Sequence, residues 1–223
     1  MWTLLRNSML VFRKDFRLEF RSRFALNAIG LFAVISLSAI SFSIGALRVK
    51  PPILSALLWV VIFFSAMSGL AHIFVREEEQ QTADTLRLLT QPVTVFLGKW
   101  LFNVILLLAL EIVIVPLFVI FLDVSGINWG TFIPVIVLGS VALSTISTII
   151  AAIIAQTSNR GALFAVLTFP LAVPVLRSAI QGSWTALEGG GLTACISDLQ
   201  ILFSFSVVIF TASILLFDFI WRR

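Results

Sequence analysis

The chain has 223 residues, is 60% hydrophobic and carries a formal net charge of +4, with a mean hydropathy of +1.10. Soluble domains are about 45–50% apolar, so a water-soluble globular fold is excluded, and the length suits one integral membrane domain without an added globular module. A lone Cys195 excludes an internal disulfide or cysteine metal site, and a lone His72 excludes a histidine-cluster centre or bis-histidine haem ligation within one chain.

Residues 1–23 predict an amphipathic interfacial helix rather than a cleavable signal peptide, because they lack a short apolar core with a small-residue cleavage site. Trp2, Leu5, Met9, Phe12, Phe16 and Phe20 recur at spacings of three and four, which places them on one helical stripe. Arg6, Arg13, Lys14, Arg17 and Arg21 border that stripe on one side, with Asp15 and Glu19 on the other. Such a helix lies flat at headgroup level; the alternative is an orientation signal with accidental periodicity.

Six apolar runs of the length needed to cross about 30 Å of hydrocarbon follow. They are Phe24–Ala46, Ile53–Val75, Leu101–Leu122, Phe132–Ala155, Ala162–Ile180 and Leu199–Ile220. With the N-terminus inside, twelve cations fall on the inner side and only Arg48, Lys50 and Arg177 on the outer. That asymmetry predicts both termini to be cytoplasmic. The fold class is therefore an all-α integral membrane protein with six transmembrane helices in residues 24–223. Trp59, Trp100, Trp129, Trp184 and Trp221 lie near span ends, as an interfacial aromatic belt requires. Of the outer connections, only Gln181–Asp198, with its three consecutive glycines, has the length of a flexible loop.

Between the second and third runs the character changes. The segment 76–91 holds Glu77, Glu78, Glu79 and Asp84, four of the chain's eleven acids. It has good helix formers, acids in its first half and Arg87 in its last third, which suits the helix dipole. The residue before Pro92 is disfavoured in a helix, so the segment ends at Gln91. Val75, Thr82, Leu86 and Leu89 fall near one face, with Glu77, Glu78 and Asp84 directed elsewhere. Either this helix docks a soluble partner, or it is a solvated connector whose charges only keep it wet.

Glu111 stands near the middle of the third run. A carboxylate there costs about 2.5–3.5 kcal/mol on insertion scales and normally faces the bundle interior or a cavity. It lines a route, binds a cation or pairs with an inward-facing group, or it is a protonated carboxyl bonded to a neighbouring helix. Pro116, five residues on, frees a backbone carbonyl near the same level. Ser140, Ser144, Thr148 and Ala152 form a small-residue stripe that favours close helix packing over transport. Pro170 and Pro174 each remove a helical hydrogen bond, so the fifth span is expected to be kinked or interrupted, as a hinge or as a static bend. His72 reads as a buried, hydrogen-bonded histidine more readily than as a ligand.

The residue types for catalysis are almost absent. Gly98-Lys99 lacks the upstream glycine of a nucleotide-binding loop and is followed by Trp100 rather than Ser or Thr. No Ser/His/Asp set, zinc motif or dinucleotide fingerprint occurs, so the chain is expected to be non-catalytic, with no metal site and no nucleic-acid partner.

These parts together resemble an ABC-2-type exporter permease. The stretch Arg76-Glu-Glu-Glu-Gln-Gln-Thr-Ala-Asp-Thr-Leu-Arg-Leu-Leu-Thr-Gln-Pro92, followed by Gly98-Lys99, is similar to that superfamily's R-E-x-E-x-G-T-L-E-x-L-L-x-x-P…G-K pattern. Gln81 stands in the glycine position and Ala83–Asp84 shifts the spacing, which leaves open whether Glu79 or Asp84 contacts a partner. Within the superfamily the chain most resembles the CcmB family of cytochrome c maturation haem exporters. The opening from Arg13 to Arg21 is similar to that family's K-D-L-x-x-E-x-R start. The first outer loop, Leu47–Pro52, is very short, and Asn159-Arg160-Gly161 through Phe169-Pro170-Leu171-Ala172-Val173-Pro174-Val175-Leu176 resembles its R-G…P-L-x-x-P-x-L run.

The resemblance implies a permease of the bacterial inner membrane whose 76–91 segment is a coupling helix. Arg76, Glu77, Glu78, Glu79, Thr82, Asp84, Thr85, Leu86, Leu89 and Pro92 would form the docking surface. It also implies a separate ATP-binding-cassette ATPase (CcmA-like), a haem-handling membrane subunit (CcmC-like), a small CcmD-like subunit, a haem chaperone (CcmE-like) and a second copy of the chain. ATP would act through the ATPase, haem would be a substrate of the complex, and this chain would bind no cofactor itself. The alternative is a general ABC-2 permease for another lipid-like or amphiphilic substrate. A third possibility is a scaffold that uses ATPase motion to release a bound chaperone and moves no solute.

Overall fold

A computed structural model describes residues 2–22, 24–45, 49–70, 74, 77, 86, 88–155 and 160–221. Among the described residues the chain is helical and contains no strand. In order these helices are α1 (Trp2–Ser22), α2 (Phe24–Ile44), α3 (Pro51–Leu70), α4 (Pro92–Phe121), α5 (Trp129–Ile154), α6 (Arg160–Leu187) and α7 (Ile196–Trp221). A short 3-10 turn, Leu192–Cys195, leads into α7. By length and apolar composition Pro92–Phe121, Trp129–Ile154 and Leu192–Trp221 are able to cross a membrane, and Gly30–Ile44 and Pro51–Met67 are shorter apolar helices. Ile112, Ile120, Val208 and Phe219 are exposed on these helices, as lipid-facing side chains are.

α5 is the hub of the bundle. It packs against α6 and α7 most extensively and also against α3 and α4. Its small polar residues Ser140, Ser144, Thr145, Ser147 and Thr148 are fully buried, so the stripe expected to allow close helix approach does lie inside. Small side chains let backbones approach, and dispersion contacts supply the association that lipid cannot. At Gly139 the missing side chain makes room for Trp59 of α3: an added Cβ would lie 2.2 Å from its Cη2. Trp59 is itself fully buried and donates its indole N–H to Ser183 Oγ on α6 at 2.8 Å.

That placement corrects the expected aromatic belt. Trp59 is a core residue, Trp221 is buried and stacks on Phe217 with centroids 5.4 Å apart, and half-buried Trp100 donates to Thr145. Trp129 is the exposed one, edge-on to Phe132 at 5.7 Å. Proximity to a span end did not distinguish an interfacial indole from one packed inside the bundle.

Three boundaries also shift. α4 begins at Pro92 instead of Leu101 and has 30 residues, about 45 Å at 1.5 Å per residue, so it outruns the hydrocarbon. Pro92 sits at the start of α4, where its missing N–H costs nothing and its fixed φ is preorganised. α6 is unbroken from Arg160 to Leu187 through Pro170 and Pro174, so of the expected kink or interruption the interruption is absent. In a membrane bundle, neighbouring groups and small adjustments re-satisfy the carbonyls that proline frees. The Gln181–Asp198 loop is largely structured: α6 continues to Leu187, Gly189 at φ 79° turns the chain, and Gly190 N–H caps Thr185 O at 2.9 Å. Thr131 at the start of α5 then donates to Gly190 O at 2.9 Å.

Candidate functional site

α1 lies across the first two turns of α4, and its contacts with α4 far outnumber those with α2. Gly98 makes this possible: an added Cβ would be 2.7 Å from Val11 Cβ and 2.8 Å from Ser8 O. The next residue, Lys99, is therefore brought under α1, and it is 0% exposed. Its ammonium donates to Asp15 Oδ2 of α1 at 3.3 Å and to Glu77 Oε1 at 3.0 Å. Lys14 pairs with the same two acids, lying 3.5 Å from Asp15 Oδ1 and in contact with Glu77 Oε1. Asp15 and Glu77 are only 7% and 5% exposed, and Lys99 Nζ sits 5.0 Å from the centroid of the Phe74 ring.

This node joins three parts of the chain. Lys14 and Asp15 come from α1, Glu77 from the start of the 76–91 segment, and Lys99 from α4. Among the described residues two cations face two carboxylates, and such pairing is what tolerates the burial of charge. Glu77 was expected among the docking acids, directed away from the apolar face of the segment; its carboxylate is turned inward onto Lys99 and Lys14. Pairs separated by 84 and 22 residues leave no local spacing to read. The available signal was the placement of Asp15 and Glu19 on the flank of α1 away from its arginines, because both acids are buried.

Of the other expected site residues, Arg76, Glu78, Glu79, Thr82, Asp84 and Thr85 lie outside the described residues, as does His72. Leu86 is half-buried against the core, whereas Leu88 is 88% and Leu89 74% exposed. Leu86 and Leu89 thus do not share one surface, and the leucine that joins Leu89 is Leu88. Thr90 closes this turn with its N–H and hydroxyl on Leu86 O, at 3.1 and 2.8 Å. Gln91 is extended, at φ −68° and ψ 144°, before Pro92 opens α4.

Above the node, α4 and α5 meet along a polar seam. Trp100 Nε1 donates to Thr145 Oγ1 at 2.9 Å, Asn103 Nδ2 to Thr148 Oγ1 at 2.8 Å, and the Ser140 hydroxyl to Glu111 Oε1. Trp100 and Glu111 are eleven residues apart, so the seam runs about 16 Å along α4. The small-residue stripe of α5 is thus also a hydrogen-bonding face. Glu111 is 3% exposed, and its Oε2 has no hydrogen-bond partner among the described residues. Its stem helps to line an apolar groove between α4 and α5, with Ile112, Val115, Ile133 and Val137.

An unmet buried acceptor lowers stability by about 1–3 kcal/mol. Ser140 has a second acceptor in Ile136 O at 2.8 Å, so removing the carboxylate orphans nothing. Glu111→Met is therefore expected to keep or raise the melting temperature of the detergent-solubilised protein. If transport falls at the same time, the carboxylate serves function and not folding. A melting temperature several degrees below wild type would show that Glu111 is structural.

The described residues form a bundle of apolar helices, three of them long enough to cross a membrane, with a buried ion-pair node joining α1, Glu77 and α4, which is the architecture of an integral membrane protein. The sequence matches the model of the CcmB protein family over residues 6–219, and the chain belongs to that family. A search of curated proteins finds no match. Family membership makes the chain a membrane subunit, a permease, of a haem-exporting ABC system, associated with an ABC ATPase and other subunits of that system.

Proposed function

We propose that α2 to α7 each cross the bacterial inner membrane, with both termini cytoplasmic, and that residues 76–91 form the coupling helix held by the separate ATPase. Two copies work with two ATPases, next to the haem-handling membrane subunit and its small companion. The complex delivers haem to, or releases, a haem chaperone at the outer face. ATP is used by the ATPase, haem is cargo, and this chain holds no cofactor of its own.

The observation that carries the reading is the buried node. Glu77 roots the docking segment on Lys99 of α4 and on Lys14, beside Asp15, of α1. A pull on the segment therefore moves α1 and α4 as one body. The polar seam of α4 on α5 is where that motion meets the fixed centre of the bundle, a rigid-body shift of the kind that interfaces permit. Leu88 and Leu89, exposed at the end of the segment, supply an apolar contact for the ATPase. Glu78 and Glu79 supply charge, Glu77 being engaged inside.

Co-purification from detergent tests the docking. Glu78→Arg with Glu79→Arg is expected to reduce ATPase recovery by at least about tenfold, the effect of breaking a desolvated interfacial charge pair. Glu77→Gln should leave the ATPase bound but uncouple hydrolysis from cytochrome c maturation. Full ATPase recovery with the double charge reversal would remove the docking assignment.

A further inference from the structure

α1 segregates its charges. Both of its acids, Asp15 and Glu19, are buried, while Arg6, Arg13, Arg17 and Arg21 are exposed. At 100° per residue, Arg6, Arg13 and Arg17 fall within about 40° of one another and form a single strip along the helix. Among the described residues no ion pair or hydrogen bond engages these three guanidinium groups. Along one edge of the strip stand exposed Leu5, Met9 and Phe16, and two shallow grooves on the helix are lined by arginine together with leucine or methionine.

We propose that the Arg6–Arg13–Arg17 strip binds the phosphates of anionic phospholipid headgroups, with the adjoining apolar edge set among the acyl chains. Guanidinium forks match phosphate oxygens bidentately, and a helix with cations bordering an apolar face seats at the headgroup boundary. A second copy of the chain is a poor occupant, because it would bring an identical uncompensated basic strip against this one. Both acids of α1 are turned to its buried face, Asp15 onto Lys99, and among the described residues no acid pairs with the strip. The exposed apolar edge beside the three cations selects lipid as the source of counter-charge.

The test uses the full chain in nanodiscs of equal parts phosphatidylglycerol and phosphatidylcholine, released for native mass spectrometry. Wild type is expected to retain phosphatidylglycerol over phosphatidylcholine by at least about fivefold, the effect of one cation near an anionic surface. R6Q/R13Q/R17Q should bring that ratio to within a factor of about two of unity, with an unchanged melting temperature because the three side chains are solvent-facing. If the triple variant fails to fold, the wild-type ratio measured at about 1 M salt must still fall, since screening acts within about 3 Å there. Equal lipid ratios in wild type and variant would overturn the proposal. So would an unchanged lipid ratio accompanied by loss of the ATPase or of self-association, which would assign the strip to a protein contact.

Discussion

Lys99→Met is expected to destabilise the protein by about 3 kcal/mol, read as a fall in melting temperature in detergent. The methylene stem is retained, so packing changes little and the loss is electrostatic. Asp15 and Glu77 stay buried but lose the ammonium between them, while Lys14, whose side chain is 36% exposed, remains beside both. Glu77→Gln in the Lys99→Met background should recover part of the loss. Removing both members of a buried pair is milder than orphaning one, and residues in contact couple by about 0.5–3 kcal/mol. The pattern to measure is the non-additivity: two single variants worse than their combination. Additive losses would mean that Lys99 and Glu77 do not act as a pair. The transport readout should stay low in the double variant, because without the Lys99–Glu77 pair the docking segment is no longer tied to α4.

Gly139→Ala carries the second large expected effect. In an exposed helix the change would stabilise by about 1 kcal/mol through backbone entropy. Here the new Cβ would stand 2.2 Å from Trp59 Cη2 and 3.0 Å from Cζ2 and Cζ3. Trp59 is fully buried and held to Ser183, so the ring shifts only by giving up that hydrogen bond. Overpacking costs about 1–3 kcal/mol, and losing the indole hydrogen bond adds about 1 kcal/mol. The clash outweighs the propensity gain, and a net loss of about 1–3 kcal/mol follows. Trp59→Phe should rescue Gly139→Ala selectively while being destabilising alone. A melting temperature for Gly139→Ala above wild type would show that α3 and α5 are not locked at this point.

Much of the architecture was legible because lipid imposes it. A run of about 20 apolar residues must become a helix, since unpaired backbone groups are intolerable in hydrocarbon, and the helices α2 to α7 arise where those runs stand. The stripe on residues 1–23 likewise became α1, because amphipathic periodicity is a local property. Proline was harder to read. Pro92 ended one segment and opened α4 as its chemistry demands, but Pro170 and Pro174 left α6 unbroken, because the surrounding bundle decides whether a lost hydrogen bond becomes a break.

What the chain determined by itself is its solvent, its helical class, its family and the acidic character of residues 76–91. Each follows from composition or from spacing along one helix. Only the tertiary structure decided that Glu77 turns inward to Lys99, that Trp59 is core, and that Glu111 meets Ser140 across two helices. Those outcomes depend on which helix faces which, and one-dimensional order carries no record of pairs brought together across 22, 124 and 29 residues.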